Sequence, residues 1–239
     1  MLRYIDSTKM GRGMHGWLDS HFHFSFAEYQ NPDNMQFGVL RVLNDDIVQP
    51  GTGFDTHPHR NMEIISYVIQ GELTHKDSMG NEHTLTRGQF QYMSAGTGVF
   101  HSEHNWGSEP LRFLQMWIFP DKNGYTPTYG EHRFALEEQF NTWLPVATSY
   151  DSEGSAAPIK VHADVNVYAA VLPLGESIEL KVGKDRQAYL ALLEGKATVA
   201  DIQLSERDAL EIVGEDVTIT AEEDALLYAI EMNATPPFS

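Results

Sequence analysis

The chain of 239 residues contains no cysteine. That excludes disulfides, thiol nucleophiles and redox sensing through sulfur, and it leaves imidazole and carboxylate as the side chains able to hold a transition metal. Basic side chains are scarce as well: 16 Lys and Arg stand against 34 Asp and Glu, a formal net charge of −18. A surface of that sign repels phosphate backbones and anionic membranes, so direct nucleic-acid binding is not expected. The imbalance is uneven, with 9 basic and 14 acidic residues in 1–130 but 7 and 20 in 131–239. The acidic half reads as a solvated surface that favours solubility. Long hydrophobic runs are also missing: no stretch reaches the roughly 18 apolar residues of a membrane span. The segment Met1-Leu2-Arg3-Tyr4-Ile5-Asp6 lacks the apolar core of a signal peptide. A soluble cytoplasmic protein without membrane contact is the expectation.

Histidine is present in quantity, with 11 residues. Two short stretches stand out, Thr56-His57-Pro58-His59 and His101-Ser102-Glu103. On a β-strand residues i and i+2 point to the same face, so each pair can aim two ligands into one concavity while the residue between them faces away. Three imidazoles and one carboxylate suit iron, manganese, cobalt, nickel, copper or zinc, and they do not resemble an all-oxygen calcium cage. His21 and His23 make a third such pair. Because two pairs already complete a four-ligand shell, this one reads as structural or as part of a pocket rim.

The rest of the chain reads as strands. Gly16 to Phe26 alternates aromatic and polar residues, and Phe37 to Val42 is a second strand followed by a turn at Asn44-Asp45-Asp46. Glu63 to Ile69 has the β-branched content of a buried strand. After the turn at Gln70-Gly71-Glu72, His75 and His83 flank the polar tip Asp77 to Asn81 and are expected to be solvated. Gln89 to Met93 and Leu111 to Phe119 are further strands. Short strands punctuated by glycine predict an all-β sandwich or barrel. Residues 121–144 show little period apart from a short helix around Phe134 to Phe140, and Pro145 to Pro158 reads as a linker. Beyond it, Ala188 to Val199 echoes Ile64 to Thr74, and Glu206 to Ile212 echoes Thr86 to Tyr92. Two related β-domains in tandem, 1–144 and 145–239, explain the echo. The second has no histidine after His162, so only the first is expected to hold metal.

Gly51-x5-His57-x-His59-x3-Glu63 with Gly71, followed by Gly88 through His101-x3-Asn105, resembles the two motifs of the cupin superfamily. More specifically, Gly16-Trp17-Leu18-Asp19-Ser20, Arg41 to Asp46, Thr56 to Glu63, Gln91 to Gly98 and His101-Ser102-Glu103 resemble the bacterial pirin family. Phe22 stands where many pirins carry histidine. The resemblance implies a bicupin, two tandem antiparallel β-barrels of jelly-roll type facing one another, with the N-terminal barrel holding one metal ion on His57, His59, His101 and Glu103, and Glu63 beside the shell. It implies one divalent ion, iron(II) first, with zinc, copper, nickel, cobalt or manganese as alternatives. It further implies quercetin 2,3-dioxygenase chemistry, in which a flavonol-like aromatic substrate is opened by O2 with release of CO and Glu103 acts as the catalytic proton acceptor. The reading of a different class is a non-enzymatic metal-dependent sensor or protein cofactor that binds a transcription regulator or metabolic enzyme. A monomer is expected in either case.

Overall fold

A computed structural model of the chain describes residues 1–135 and 140–234. Among them there is no α-helix, and a single 3-10 turn spans Ser7–Lys9. No helix is therefore long and apolar enough to cross a membrane. The short helix expected around Phe134 to Phe140 falls largely outside the described residues.

The chain divides into two compact units, Met10–Arg133 and a second made of Met1–Lys9 with Phe134–Ser239. The expected boundary between 144 and 145 lies inside the second unit. Strand β1 (Leu2–Ile5) belongs there too, paired antiparallel with Ala209–Val213. Arg3 Nε donates to Glu211 at 2.6 Å across a separation of 208 residues, and a four-residue strand carries no local sign of so distant a partner. Leu144–Ser149, which overlaps the stretch read as a linker from Pro145, is a strand that lies parallel to Ile159–Val161 and antiparallel to Val165–Leu172.

The first unit carries β2 (Gly11–Met14), β3 (Leu18–Phe22), β4 (Leu40–Val48), β5 (Thr52–His59), β6 (Glu63–Gln70), β7 (Glu72–Asp77), β8 (Glu82–Thr86), β9 (Gln89–Ser94), β10 (Val99–Asn105), β11 (Leu111–Ile118) and β12 (Thr128–Arg133). Seven form one sheet in the order β12-β9-β6-β11-β4-β3-β2, and four form another, β5-β10-β7-β8. Val48, Val68, Leu111 and Phe113 from the larger sheet meet Leu73 and Leu85 from the smaller in one buried cluster. The second unit repeats the plan with a seven- and a four-stranded sheet. Leu190, Leu192 and Leu227 close there on Val199, Leu204 and Ile219. The expected barrels are therefore two-sheet sandwiches of jelly-roll type. In each unit the described backbone ladders form separate sheets that pack through apolar side chains.

The internal echo in the sequence corresponds to a repeated path. Strand β6 runs through Gly71 into β7, and Arg186–Glu194 runs through Gly195 into Lys196–Val199, each time passing from the larger sheet to the smaller. Both glycines are left-handed, with φ of 79° and 84°. A Cβ would stand 2.7 Å from the Pro110 carbonyl oxygen at Gly71 and 2.1 Å from that of Asp224 at Gly195. Only glycine meets both demands.

Asn44-Asp45-Asp46 is not a turn. It lies inside β4, with all three residues buried. Asp45 accepts from Arg112 of β11, Nε to Oδ1 at 2.9 Å and Nη2 to Oδ2 at 2.6 Å. A fork-like ion pair from the neighbouring strand overrides the local turn preference of aspartate.

Candidate metal centre

The two histidine-bearing strands lie side by side. Strands β5 and β10 pair antiparallel with His57 opposite His101, and the register then shifts so that Glu103 lies opposite Phe54. Asp55 and Thr56 on β5 thus face Ser102 alone, a β-bulge of the kind that re-aims side chains beside functional sites. The three imidazoles form a near-equilateral triangle: ring centroids are 4.9 Å apart for His57 and His59, 4.5 Å for His57 and His101, and 4.8 Å for His59 and His101. Their donor atoms all lie within 4.8 Å of one another, and His75, His101 and Glu103 form a second triad on the same criterion. The structure brings His57, His59 and His101 together and places Glu103 in an overlapping group through His101.

His75 is the residue that sequence reasoning misplaced. It lies on β7 opposite Glu103, completely buried, and stacks on Tyr129 with ring centroids 4.5 Å apart. The i,i+2 spacing of His75 and Asp77 was a signal, but the polar tip beside them masked it. His83 is exposed, as expected. Strand alternation turns His21 away from the cavity described below, which Ser20 and Phe22 line instead; His23 does not line it either. Glu63 accepts from Tyr92 at 2.6 Å and Ser94 at 2.7 Å and belongs to neither triad.

Hydrogen bonds set the tautomers. The Asp55 carbonyl can only accept, so the 2.7 Å contact from His57 Nδ1 requires a proton there and leaves a lone pair on Nε2. A longer chain does the same for His101. The Asp77 side chain already accepts from the Asn81 amide group, so His75 Nε2 donates to it at 3.0 Å. With a single proton on His75, its Nδ1 is an acceptor for His101 Nδ1, 3.5 Å away. Burial, reinforced by neighbouring imidazoles, pushes His59 and His101 down to about 3, which keeps both neutral near pH 7. Nε2 of each is buried and lacks a hydrogen-bond partner. Glu103 is held from both sides: Gln91 Nε2 donates to Oε1 at 2.6 Å and Gln115 Nε2 to Oε2 at 2.7 Å. Neutral imidazoles with converging, unpartnered nitrogens beside an oriented carboxylate are what a first-row divalent ion requires.

A cavity of about 470 Å³ within the first unit opens onto His57, His59 and Glu103. Trp17, Leu18, Phe22, Phe26, Phe54 and Trp117 supply its apolar wall. Trp117 meets His59 edge-on at 4.8 Å and Phe26 at 5.4 Å, and its Nε1 donates to Gln115 Oε1 at 3.0 Å. Asn44 and Asp46, expected to be turn residues, also line it. The volume is that of a small-molecule site.

Comparison with known proteins agrees with this architecture. Residues 5–118 match the pirin family model, and residues 146–232 match a model described as the quercetinase C-terminal cupin domain. A pirin-like protein of Caulobacter vibrioides is 42% identical over 224 residues, covering 93% of this chain and 96% of that protein. A quercetin 2,3-dioxygenase of Escherichia coli K12 is 40% identical over 235 residues, covering 97% and 99%. Among solved structures, a bacterial pirin from Escherichia coli in complex with nickel(II) superposes with a TM-score of 0.90 at 38% identity, covering 98% of this chain and 100% of that one. With two jelly-roll units, a histidine cluster confined to the first and relatives matched over almost their whole length, the chain belongs to the pirin family.

Proposed function

We propose that this chain is a metal-dependent dioxygenase that opens a flavonol such as quercetin with O2 and releases CO. The observation that carries the reading is the shared cavity, in which an aromatic-walled space opens directly onto two of the clustered imidazoles and Glu103. His57, His59, His101 and Glu103 would hold one divalent ion, iron(II) in this proposal. When bound, the ion supplies Lewis acidity that lowers the pKa of a substrate hydroxyl and a template on which flavonol and dioxygen meet.

The protein's own part is orientation and proton handling. Trp17, Phe54 and Trp117 pack against the flavonol rings and exclude water, which strengthens every polar contact inside the cavity. Glu103 accepts the proton leaving the substrate 3-hydroxyl. Gln91 and Gln115 each donate to one of its oxygens, so the carboxyl is held in place before substrate arrives. Gln115 also bonds Trp117, which links the proton acceptor to the wall that positions the ring. A purely regulatory metal site has no need of an apolar cavity of this size beside its ligands, and this favours the enzyme over the protein-cofactor reading.

An aerobic assay of the purified, metal-loaded protein tests the proposal. Loss of flavonol absorbance with matching release of CO is expected, falling to background in Glu103→Ala. No consumption above that control overturns it.

A further inference from the structure

Two polar cavity residues that the proposed chemistry leaves unused lie on one strand. Asn44 and Asp46 are two residues apart on β4, so their side chains share a face and stand about 7 Å apart along it. Both line the cavity that opens onto His57, His59 and Glu103. They are 3% and 4% exposed, and Oδ1 of each is buried without a hydrogen-bond partner. The neighbouring polar side chains do not supply what is missing. Ser20, opposite Asp46 on β3, contributes a single hydrogen bond to Asp46. Gln115, opposite Asn44 on β11, is engaged with Glu103 and Trp117. Buried acceptors are almost always paired in native proteins, and two orphans on one face of one cavity mark a place where a ligand brings the donors.

We propose that Asn44 and Asp46 form a second polar subsite that accepts hydrogen bonds from two hydroxyls of the aromatic ligand, making the cavity selective for polyhydroxylated ring systems over bare ones. The inference takes its ring framework from the flavonol reading above. Asn44 Oδ1 is an acceptor, and so is Asp46 Oδ1 once its carboxyl ionises above about pH 7; at that pH an ether or carbonyl oxygen placed there would be repelled, whereas a phenolic O–H would be held. Burial, with Asp45 and Glu103 adding to it, raises the Asp46 carboxyl to about 7, and a donor hydroxyl would relieve that penalty on its charged form.

Equilibrium binding separates this inference from the catalytic proposal. Quercetin is compared with 3-hydroxyflavone, which keeps the ring system and the 3-hydroxyl and lacks the other hydroxyls. Binding is read anaerobically from the quenching of Trp17 and Trp117 in the metal-loaded protein. The wild type is expected to prefer quercetin by about tenfold or more, the worth of one or two hydrogen bonds to buried acceptors. In Asn44→Leu/Asp46→Leu the two ligands should bind within twofold of each other. Asp46→Asn keeps an acceptor oxygen and should keep the preference. A wild-type ratio below twofold, or no binding of either compound, overturns the inference, and so does a double variant that retains the preference. The wild-type measurement needs no variant to fold. Discrimination without turnover would remove the dioxygenase proposal alone, and turnover without discrimination would remove the subsite alone.

Discussion

His75 shows how much a single side chain depends on its surroundings. Beside a polar loop tip it reads as solvated, yet it is buried between Asp77 and His101 and decides which nitrogen of His101 carries the proton. His75→Phe keeps the ring and its stacking on Tyr129 but removes the acceptor for His101 Nδ1. Partners of this kind are typically worth 10–100-fold in metal affinity. A loss of about that size is expected when metal affinity is measured by chelator competition, with the circular-dichroism spectrum unchanged. Wild-type affinity would show that the Asp77–His75 pair does not orient His101. The cluster of His57, His59 and His101 was legible because its members stand in short pairs that obey the two-residue period of a strand. His75 and Asp46 obey it too, but their neighbours, Asp77 to Asn81 and Asn44-Asp45, carry strong turn preferences of their own.

At the scale of an element, β4 is the strand whose composition argues most against its conformation. It places two acids in succession in the middle of a sheet, and alternation sends them to opposite faces. Asp45 meets Arg112, while Asp46 faces the cavity with no cation opposite. A carboxyl held at about 7 in the folded chain against 3.8 in the unfolded one keeps its proton in the native state over that interval. The native state then binds more protons than the unfolded state, so its contribution to stability is full below about pH 4 and is lost as pH rises toward 7. Asp46→Asn cannot ionise and should escape that loss. In metal-free protein, urea unfolding is expected to find the variant equal to wild type near pH 4 and more stable at pH 8, by up to about 4 kcal/mol. A pH-independent difference would mean that Asp46 does not titrate in this range. The strand–glycine–strand path at Gly71 and Gly195 was legible in the sequence, since both turns require the one residue without a Cβ. The membership of Asp45 and Asp46 in a strand was not, because the arginine and serine that make it tolerable arrive from other strands.

For the whole molecule, a histidine cluster restricted to one unit couples metal binding to stability. An ion that binds only the folded state adds about 2.7 kcal/mol when its free concentration is 100 times its Kd. Stripping it with a chelator is expected to lower the melting temperature at constant pH and to weaken hydrogen-exchange protection in β5, β7 and β10. An unchanged melting temperature and exchange pattern would mean that the native protein holds no ion. The sequence by itself determined the all-β class, the duplication, the donor types available to a metal and the clustering of His57, His59 and His101, because composition and period are local properties. Only the tertiary structure decided that β1 joins the distant Ala209–Val213, that each unit is a two-sheet sandwich, and that His75 and the Asn44 and Asp46 side chains are buried at the site. Those outcomes depend on pairings between strands far apart in the chain, and such pairings leave no trace in the short-range pattern of either partner.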